Sequence, residues 1–365
     1  MLNLLQPVRA QSWIVRLGLS SGRRVWDLAV VSVTLALGAT SCSFASAPSG
    51  GNGLFVLHPD GAVARLGGTG SSGSTAAWSP DGSQVAFGLL TSERSSLAVV
   101  RRDGTHMRVL ADAAGPSPVA LAWQPGGSRV AFIRRASGQY ELALVDTLTG
   151  RVRTIAGHAV RPGSDPGVSF SPNGRHVAYL RPGGAVISAS VDGGATRVVA
   201  STGSSKRMSE AAPHWSPDGR WILYLARPKS RHGGVVLVHP DGSTLHGVSP
   251  AVFSLAAAAW SPDSTRIAIN GWRDHDPSCH LFIVDLRRGS IHAITGEIPF
   301  SRPTWSPDGR RIAFTGRAGE LETITPEGTD QATLHSIPHV TITALAWSPN
   351  GTDLLYRSAP TPEGD

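Results

Sequence analysis

The stretch Trp305-Ser306-Pro307-Asp308-Gly309 is one of seven related pentapeptides, and their recurrence decides the fold. The others are Trp78-Ser79-Pro80-Asp81-Gly82, Trp123-Gln124-Pro125-Gly126-Gly127, Phe170-Ser171-Pro172-Asn173-Gly174, Trp215-Ser216-Pro217-Asp218-Gly219, Trp260-Ser261-Pro262-Asp263-Ser264 and Trp347-Ser348-Pro349-Asn350-Gly351. In chain order their aromatic residues stand 45, 47, 45, 45, 45 and 42 residues apart. A period of that length marks one structural unit copied many times.

Each pentapeptide leads into a short apolar strand, as in Val85-Ala86-Phe87, Val130-Ala131-Phe132, Val177-Ala178-Tyr179 and Ile312-Ala313-Phe314. A second apolar strand follows and ends in a polar turn, as in Leu97-Ala98-Val99-Val100 before Asp103-Gly104 and Leu281-Phe282-Ile283-Val284 before Arg288-Gly289. Asp-Gly and Asn-Gly between apolar runs are hairpin signals, because those residues tolerate a positive φ. Each unit thus reads as about four short strands, and four strands in some 45 residues make one blade of a β-propeller. The aromatic residue is expected to wedge between neighbouring blades, with Pro stiffening the turn and Asp or Asn bonding back to its backbone.

The ends of the repeat predict how the ring closes. Leu54-Phe55-Val56-Leu57 before Asp60-Gly61 is a second strand with no aromatic turn ahead of it, while the Trp347 unit stops after Leu354-Leu355-Tyr356. A seventh blade with its inner two strands from 342–358 and its outer two from 53–67 joins these halves and leaves no open sheet edge. The predicted fold is all-β, a seven-bladed propeller over residues 54–358 followed by a tail, 359–365.

These motifs over residues 54–356 resemble the repeats of TolB-type propellers, with a Trp-Ser-Pro-Asp-Gly turn, an Ile-Ala-Phe-like strand and an Ile-Tyr-Val-like strand. The resemblance implies protein binding at the cell envelope. Similar repeats occur in the propeller of prolyl oligopeptidases. TolB itself carries an α/β domain ahead of the propeller, and residues 42–54 leave no room for one, so its particular role does not carry over. Nothing like the Gly-x-Ser-x-Gly elbow of a hydrolase follows Tyr356, and the segment with Ser209 and His214 has none either.

Composition agrees with a turn-rich protein: 42 Gly and 26 Pro but 3 Met in 365 residues. The net charge of +7 is not a nucleic-acid footprint. Arg9, Arg16, Arg23 and Arg24 against Asp27 place +3 of it in residues 1–41, and the remaining +4 is scattered without a basic stripe.

The same N-terminal segment reads as a targeting signal. Arg23-Arg24 precede an apolar run from Leu28 to Leu37 and then Gly38-Ala39-Thr40-Ser41-Cys42, the order of a basic region, a hydrophobic region and a small-residue cleavage site. The run is too short to span a bilayer, which takes about twenty residues. Ala39 to Cys42 resembles a lipoprotein box, which implies cleavage of 1–41, a lipid on Cys42, and a Ser/Ala/Pro/Gly tether over 42–53. An ordinary signal peptide with Cys42 incidental, giving a secreted or periplasmic protein, and a short uncleaved helix are the alternatives. Arg23-Arg24 also resembles a twin-arginine signal, and residues 1–20 are long for a basic region, which suits a start further downstream. With Cys42 lipidated, Cys279 has no partner and no disulfide is expected.

Because the Asp residues of identical turns are architectural, function is sought where the repeat departs from itself. The loops expected around the channel mouth are 157–168, with His158, Arg161 and Asp165, and 201–213, with Lys206, Arg207 and Glu210. Arg302 lies in an equivalent shorter loop. They read either as a mixed-charge mouth for a polar ligand or partner, or as solvated loops. The insertion Asp274-His275-Asp276-Pro277-Ser278-Cys279-His280 holds metal-ligand types in Asp274, His275, Asp276 and His280, but its spacing fits no established zinc pattern. A polar hairpin loop is the simpler reading, and no metal or other cofactor is expected. The sequence points to a monomeric, lipid-anchored binding scaffold for a protein or cell-envelope polymer, without nucleic acid. A propeller enzyme of lyase or lactonase type, its polar residues lining the channel, is the alternative.

Overall fold

The computed structural model describes residues 52–67, 75–90, 95–113, 120–159, 167–201, 213–226, 234–243, 245–248, 253–273, 278–299, 302–337 and 340–360. Among them there are no helices, and the strands form seven antiparallel four-stranded sheets. Blade 1 consists of Ala76–Trp78, Gln84–Leu90, Ser95–Arg101 and Arg108–Ala113, in that order from the inside outwards. Blades 2 to 6 repeat it, with inner strands Leu121–Trp123, Ser169–Phe170, His214–Trp215, Phe253–Trp260 and Thr304–Trp305. The inner strands neighbour one another around the ring, as the blades of a propeller do.

The pentapeptide is the turn between the first two strands of each blade. In blade 1 the Ser79 hydroxyl donates to Asp81 Oδ1 at 2.5 Å and accepts the Gln84 N–H at 2.9 Å, while Asp81 Oδ1 also accepts the Ser83 N–H at 3.1 Å. These bonds, led by the Ser79 hydroxyl, hold the Asp81 carboxyl below its usual pKa. The same serine is buried in six blades (Ser79, Ser171, Ser216, Ser261, Ser306 and Ser348), so its hydroxyl replaces water for the backbone that the turn leaves unpaired. Gly82 takes φ +69°, and a methyl placed on it would meet Pro349 Cδ of the preceding blade at 3.4 Å. The turns therefore nest one against the next. Blade 5 has Ser264 where the others have Gly, at φ +58°, and its hydroxyl accepts the Asp218 N–H of blade 4 at 3.0 Å.

The aromatic residue packs against the preceding blade, as expected. Trp305 lies among Ala268, Leu281 and Ile283 of blade 5, and Trp78 in a cluster with Leu54, Val56 and Leu355 of blade 7. Four indoles also donate to the residue just before the preceding aromatic: Trp78 to Ala346 O (3.2 Å), Trp123 to Ala77 O (2.9 Å), Trp260 to His214 O (3.2 Å) and Trp305 to Ala259 O (3.2 Å). Trp215 and Trp347 differ, since their Nε1 atoms are buried without a partner among the described residues. Both follow a blade with a hydroxyl residue at the accepting position, Ser169 and Thr304, and the Ser169 hydroxyl instead accepts the Trp215 backbone N–H at 3.1 Å.

Blade 7 is built from both ends of the described chain, in the order Val63–Leu66, Gly53–Leu57, Leu354–Pro360 and Val340–Trp347. The closing register pairs Leu54 with Arg357, Phe55 with Tyr356 and Leu57 with Leu354, and the Phe55 and Tyr356 rings stack at 5.3 Å. Asp353, buried at the start of the closing strand, accepts from His58 Nδ1 at 2.9 Å and lies 3.4 Å from Arg102 Nη1 of blade 1. One carboxylate thus ties the two ends of the ring to the next blade.

Candidate axial channel

Successive side chains of a strand point to opposite sides. On every inner strand the aromatic residue turns towards the neighbouring blade, so the residue before it turns the other way. These residues are Ala77, Ala122, Ser169, His214, Ala259, Thr304 and Ala346, and all seven are half-buried although they sit on the innermost strands. Ala77, Ala122, Ala259 and Ala346 pack on the apolar clusters at the junction with the following blade, and the part of each of the seven that stays exposed belongs to the innermost strands, beside the axis. Four methyl groups, two hydroxyls and one imidazole make this ring of the wall.

His214 is its one titratable member. Loss of hydration on burial pushes its pKa down to about 4. It is neutral at physiological pH and offers one donor and one acceptor. Arg302, two residues before Thr304, is also half-buried, and burial lowers its pKa from the usual arginine value.

A measurable pH dependence follows. The unfolded chain takes up a proton at His214 near pH 6.5 and the folded chain only near 4, so this contribution to stability is full above about pH 7 and is lost as pH falls through that window. The loss amounts to about 3 kcal/mol. Denaturant titrations at pH 7 and pH 4.5 are expected to show a smaller acid loss in His214→Ala than in the wild type; equal losses would contradict the assignment.

Of the residues singled out in the sequence, Arg302 stands beside this wall. His158 lies on the outermost strand of blade 2, Val152–Ala159, which runs further than the expected loop start. Arg161, Asp165, Lys206, Arg207, Glu210, Asp274, His275 and Asp276 lie outside the described residues, as does Cys42. His280 begins the third strand of blade 5, half-buried, beside Cys279, whose thiol donates to Oδ1 of the fully buried Asn270 at 3.2 Å. Burial raises the pKa of that thiol, so it is a poor nucleophile at neutral pH. No group of three His, Cys, Asp or Glu side chains that could hold a metal occurs among the described residues. Sequence reasoning did not single out Ser169, His214 and Thr304 as the polar members of the innermost strands. The available signal was the residue before each aromatic, which is Ala in four blades.

Comparison with known proteins agrees with this architecture. The family model of the TolB beta propeller domain matches residues 54–254. Over 115 residues the chain is 33% identical to the uncharacterized peptidase YuxL of Bacillus subtilis (strain 168), a match that covers 29% of this chain and 17% of YuxL. TolB from Acinetobacter baumannii superimposes with a TM-score of 0.54 at 15% identity, covering 78% of this chain and 65% of TolB. An oligogalacturonate lyase in complex with manganese gives a TM-score of 0.59 at 14% identity, over 78% of this chain and 88% of the lyase. The chain therefore spans under two thirds of YuxL and of TolB, and at such identities the two structures share its fold.

Proposed function

The chain belongs to the TolB beta propeller domain family, and on that premise we propose that it is a binding scaffold that receives a segment of a protein or cell-envelope polymer at its axial channel. The observation that carries this reading is the wall itself. Six of its seven side chains are Ala, Ser or Thr, small groups that project little from the innermost strands, while His214 and Arg302 supply polar contacts at fixed positions. A closed ring of nested turns holds that wall rigid, so a partner is met by a preformed surface and little ordering entropy is lost on binding. In this proposal the protein is exported and held by a lipid on Cys42, which places the channel outside the cytoplasm.

A photo-cross-linker at position 302 of the full chain, expressed in an envelope-bearing host, is expected to capture one discrete partner, and His214→Ala to reduce the yield. Labelling without preference, together with turnover of a lactone or polysaccharide by the purified protein, would favour an enzyme instead. That second reading has its own support in a neutral imidazole at the centre of a propeller that shares its fold with a lyase. For the anchor, intact mass of the membrane fraction is expected to give a mature chain beginning at a diacylated Cys42; an unmodified N-terminus or a different start would remove that part of the proposal.

A further inference from the structure

Successive strands of a blade are antiparallel, so the turn between its third and fourth strands opens on the same face as its pentapeptide turn. On that face the charges are divided unevenly around the ring. In blades 1 to 3 the two sets of turns, 79–83, 101–108, 124–129, 146–153, 171–176 and 190–197, carry eight Arg against four Asp, a net of +4. In blades 4 to 6 the equivalent turns, 216–221, 239–243, 261–266, 285–292, 306–311 and 325–331, carry six Arg against seven Asp and Glu, a net of −1. Positive charge that is scattered along the sequence is thus gathered by the fold on one half of one face. Two copies of the pentapeptide contribute to the imbalance, since Gly126 and Asn173 stand where four of the others have Asp.

The shortage of carboxylates leaves arginines unpaired. In blades 5 and 6 Arg266 pairs with Glu327 at 3.1 Å, Arg288 with Asp285 at 3.6 Å and Arg310 with Asp308 at 4.0 Å. In blades 1 to 3 Asp81, Asp103 and Asp146 are instead drawn into their own turns, where they accept from Ser83, Thr105 and Thr149. Arg108, Arg153 and Arg197 each hold a carbonyl of the next blade's turn, Thr147 O at 2.9 Å, Asp192 O at 2.8 Å and Asp241 O at 3.2 Å. Arg102 lies by Asp353, and Arg101 beside Asp103. The side chains of Arg129, Arg151 and Arg175 are exposed and make no hydrogen bond or ion pair among the described residues.

Apolar side chains collect in the same place. Of the six large apolar side chains exposed among the described residues, Met107, Val109, Leu148 and Val198 lie on the outermost strands of blades 1 to 3 or in the turns that lead into them. Leu148 is 76% exposed, at the tip of a turn whose counterpart in blade 5 has Arg287 there. Asp146 Oδ1 holds that tip by accepting the N–H groups of Leu148 and Thr149 at 3.0 and 2.9 Å, and Arg108, bonded to Thr147 O, lies beside it. A soluble anionic polymer gains nothing from an exposed leucine. Arginines around a projecting apolar side chain fit a bilayer, which sets an anionic surface over an acyl layer.

We propose that the pentapeptide face of blades 1 to 3 docks on an anionic lipid surface, with Arg129, Arg151 and Arg175 at the headgroups and Leu148 entering the interface. This contact is independent of a lipid on Cys42, and it leaves the end of the inner strands that carries Arg302 turned away from the bilayer.

The test places an environment-sensitive fluorescent amino acid at position 148 of the full chain and compares vesicles of phosphatidylglycerol with vesicles of phosphatidylcholine. A blue shift on phosphatidylglycerol alone, reversed by high salt, is the expected result. Arg129→Gln, Arg151→Gln and Arg175→Gln together are expected to weaken docking on the order of a hundredfold and so bring the emission to its phosphatidylcholine position. Arg220→Gln with Arg310→Gln, on the other half of the face, is expected to leave the shift intact. The proposal is overturned if phosphatidylglycerol gives no shift, if phosphatidylcholine gives the same one, or if the triple variant keeps it. It is also overturned if soluble polyglutamate produces the shift, which would make the surface a site for an acidic protein segment. The three arginines are exposed and unbonded, so an unaltered melting temperature of the triple variant serves as the control, and the lipid and salt comparisons need no variant.

Discussion

Trp305→Ala is expected to lower the free energy of unfolding by about 3–5 kcal/mol and the melting temperature by on the order of 10 °C. Trp305 is 6% exposed and fills the junction with blade 5, where Arg266 lies over its ring at 5.2 Å. Its removal leaves a cavity the size of an indole between two rigid sheets. Trp305→Phe keeps most of that volume but strands the Ala259 carbonyl, a loss of about 1 kcal/mol. Trp215→Phe and Trp347→Phe have no indole hydrogen bond to lose and are expected to cost less than Trp305→Phe. Phe170 already occupies the position in blade 3. Denaturant titration of the four variants checks this ranking, and a Trp305→Ala protein as stable as the wild type would contradict the wedge.

Truncation after Ala346 is expected to be more damaging. It removes Trp347 and the strand Leu354–Pro360, so that Gly53–Leu57 loses the partner with which it makes five register pairs. Blade 7 then has no continuous sheet, and blades 6 and 1 each expose an apolar face. Loss of a single cooperative transition and the appearance of aggregated species, seen by calorimetry and light scattering, is the expected outcome. A milder form of the same experiment is Asp353→Ala, which unties His58 and Arg102. Breaking a buried pair costs about 3–5 kcal/mol, and the half-exposed Arg102 brings this to the lower end or below it.

The ring was legible because its signal is redundant. Seven copies of one turn state the blade number, and the two incomplete units at the ends state the closure. Trp, Ser, Pro and Asp each have a local task in that turn, so pattern reasoning reaches them directly. Asp353 was not legible, since it follows a turn like the others and its partners His58 and Arg102 are distant in the chain. The channel wall was hidden for a different reason. Ala, Ser and Thr carry no chemical signal by themselves, and their place beside the axis exists only once seven blades are assembled. His214 was visible as a residue type, but its depressed pKa is a property of the closed ring.

Hydrogen exchange of the segment Gly53–Leu57 in the intact chain tests the closed ring most directly. As the third strand of blade 7, bonded on both sides, it is expected to exchange as slowly as the central strands Val85–Leu89 and Leu281–Val284, through global unfolding alone. Exchange of those amides at rates typical of an unpaired terminal segment would contradict closure, and with it the rigid channel on which the binding proposal rests.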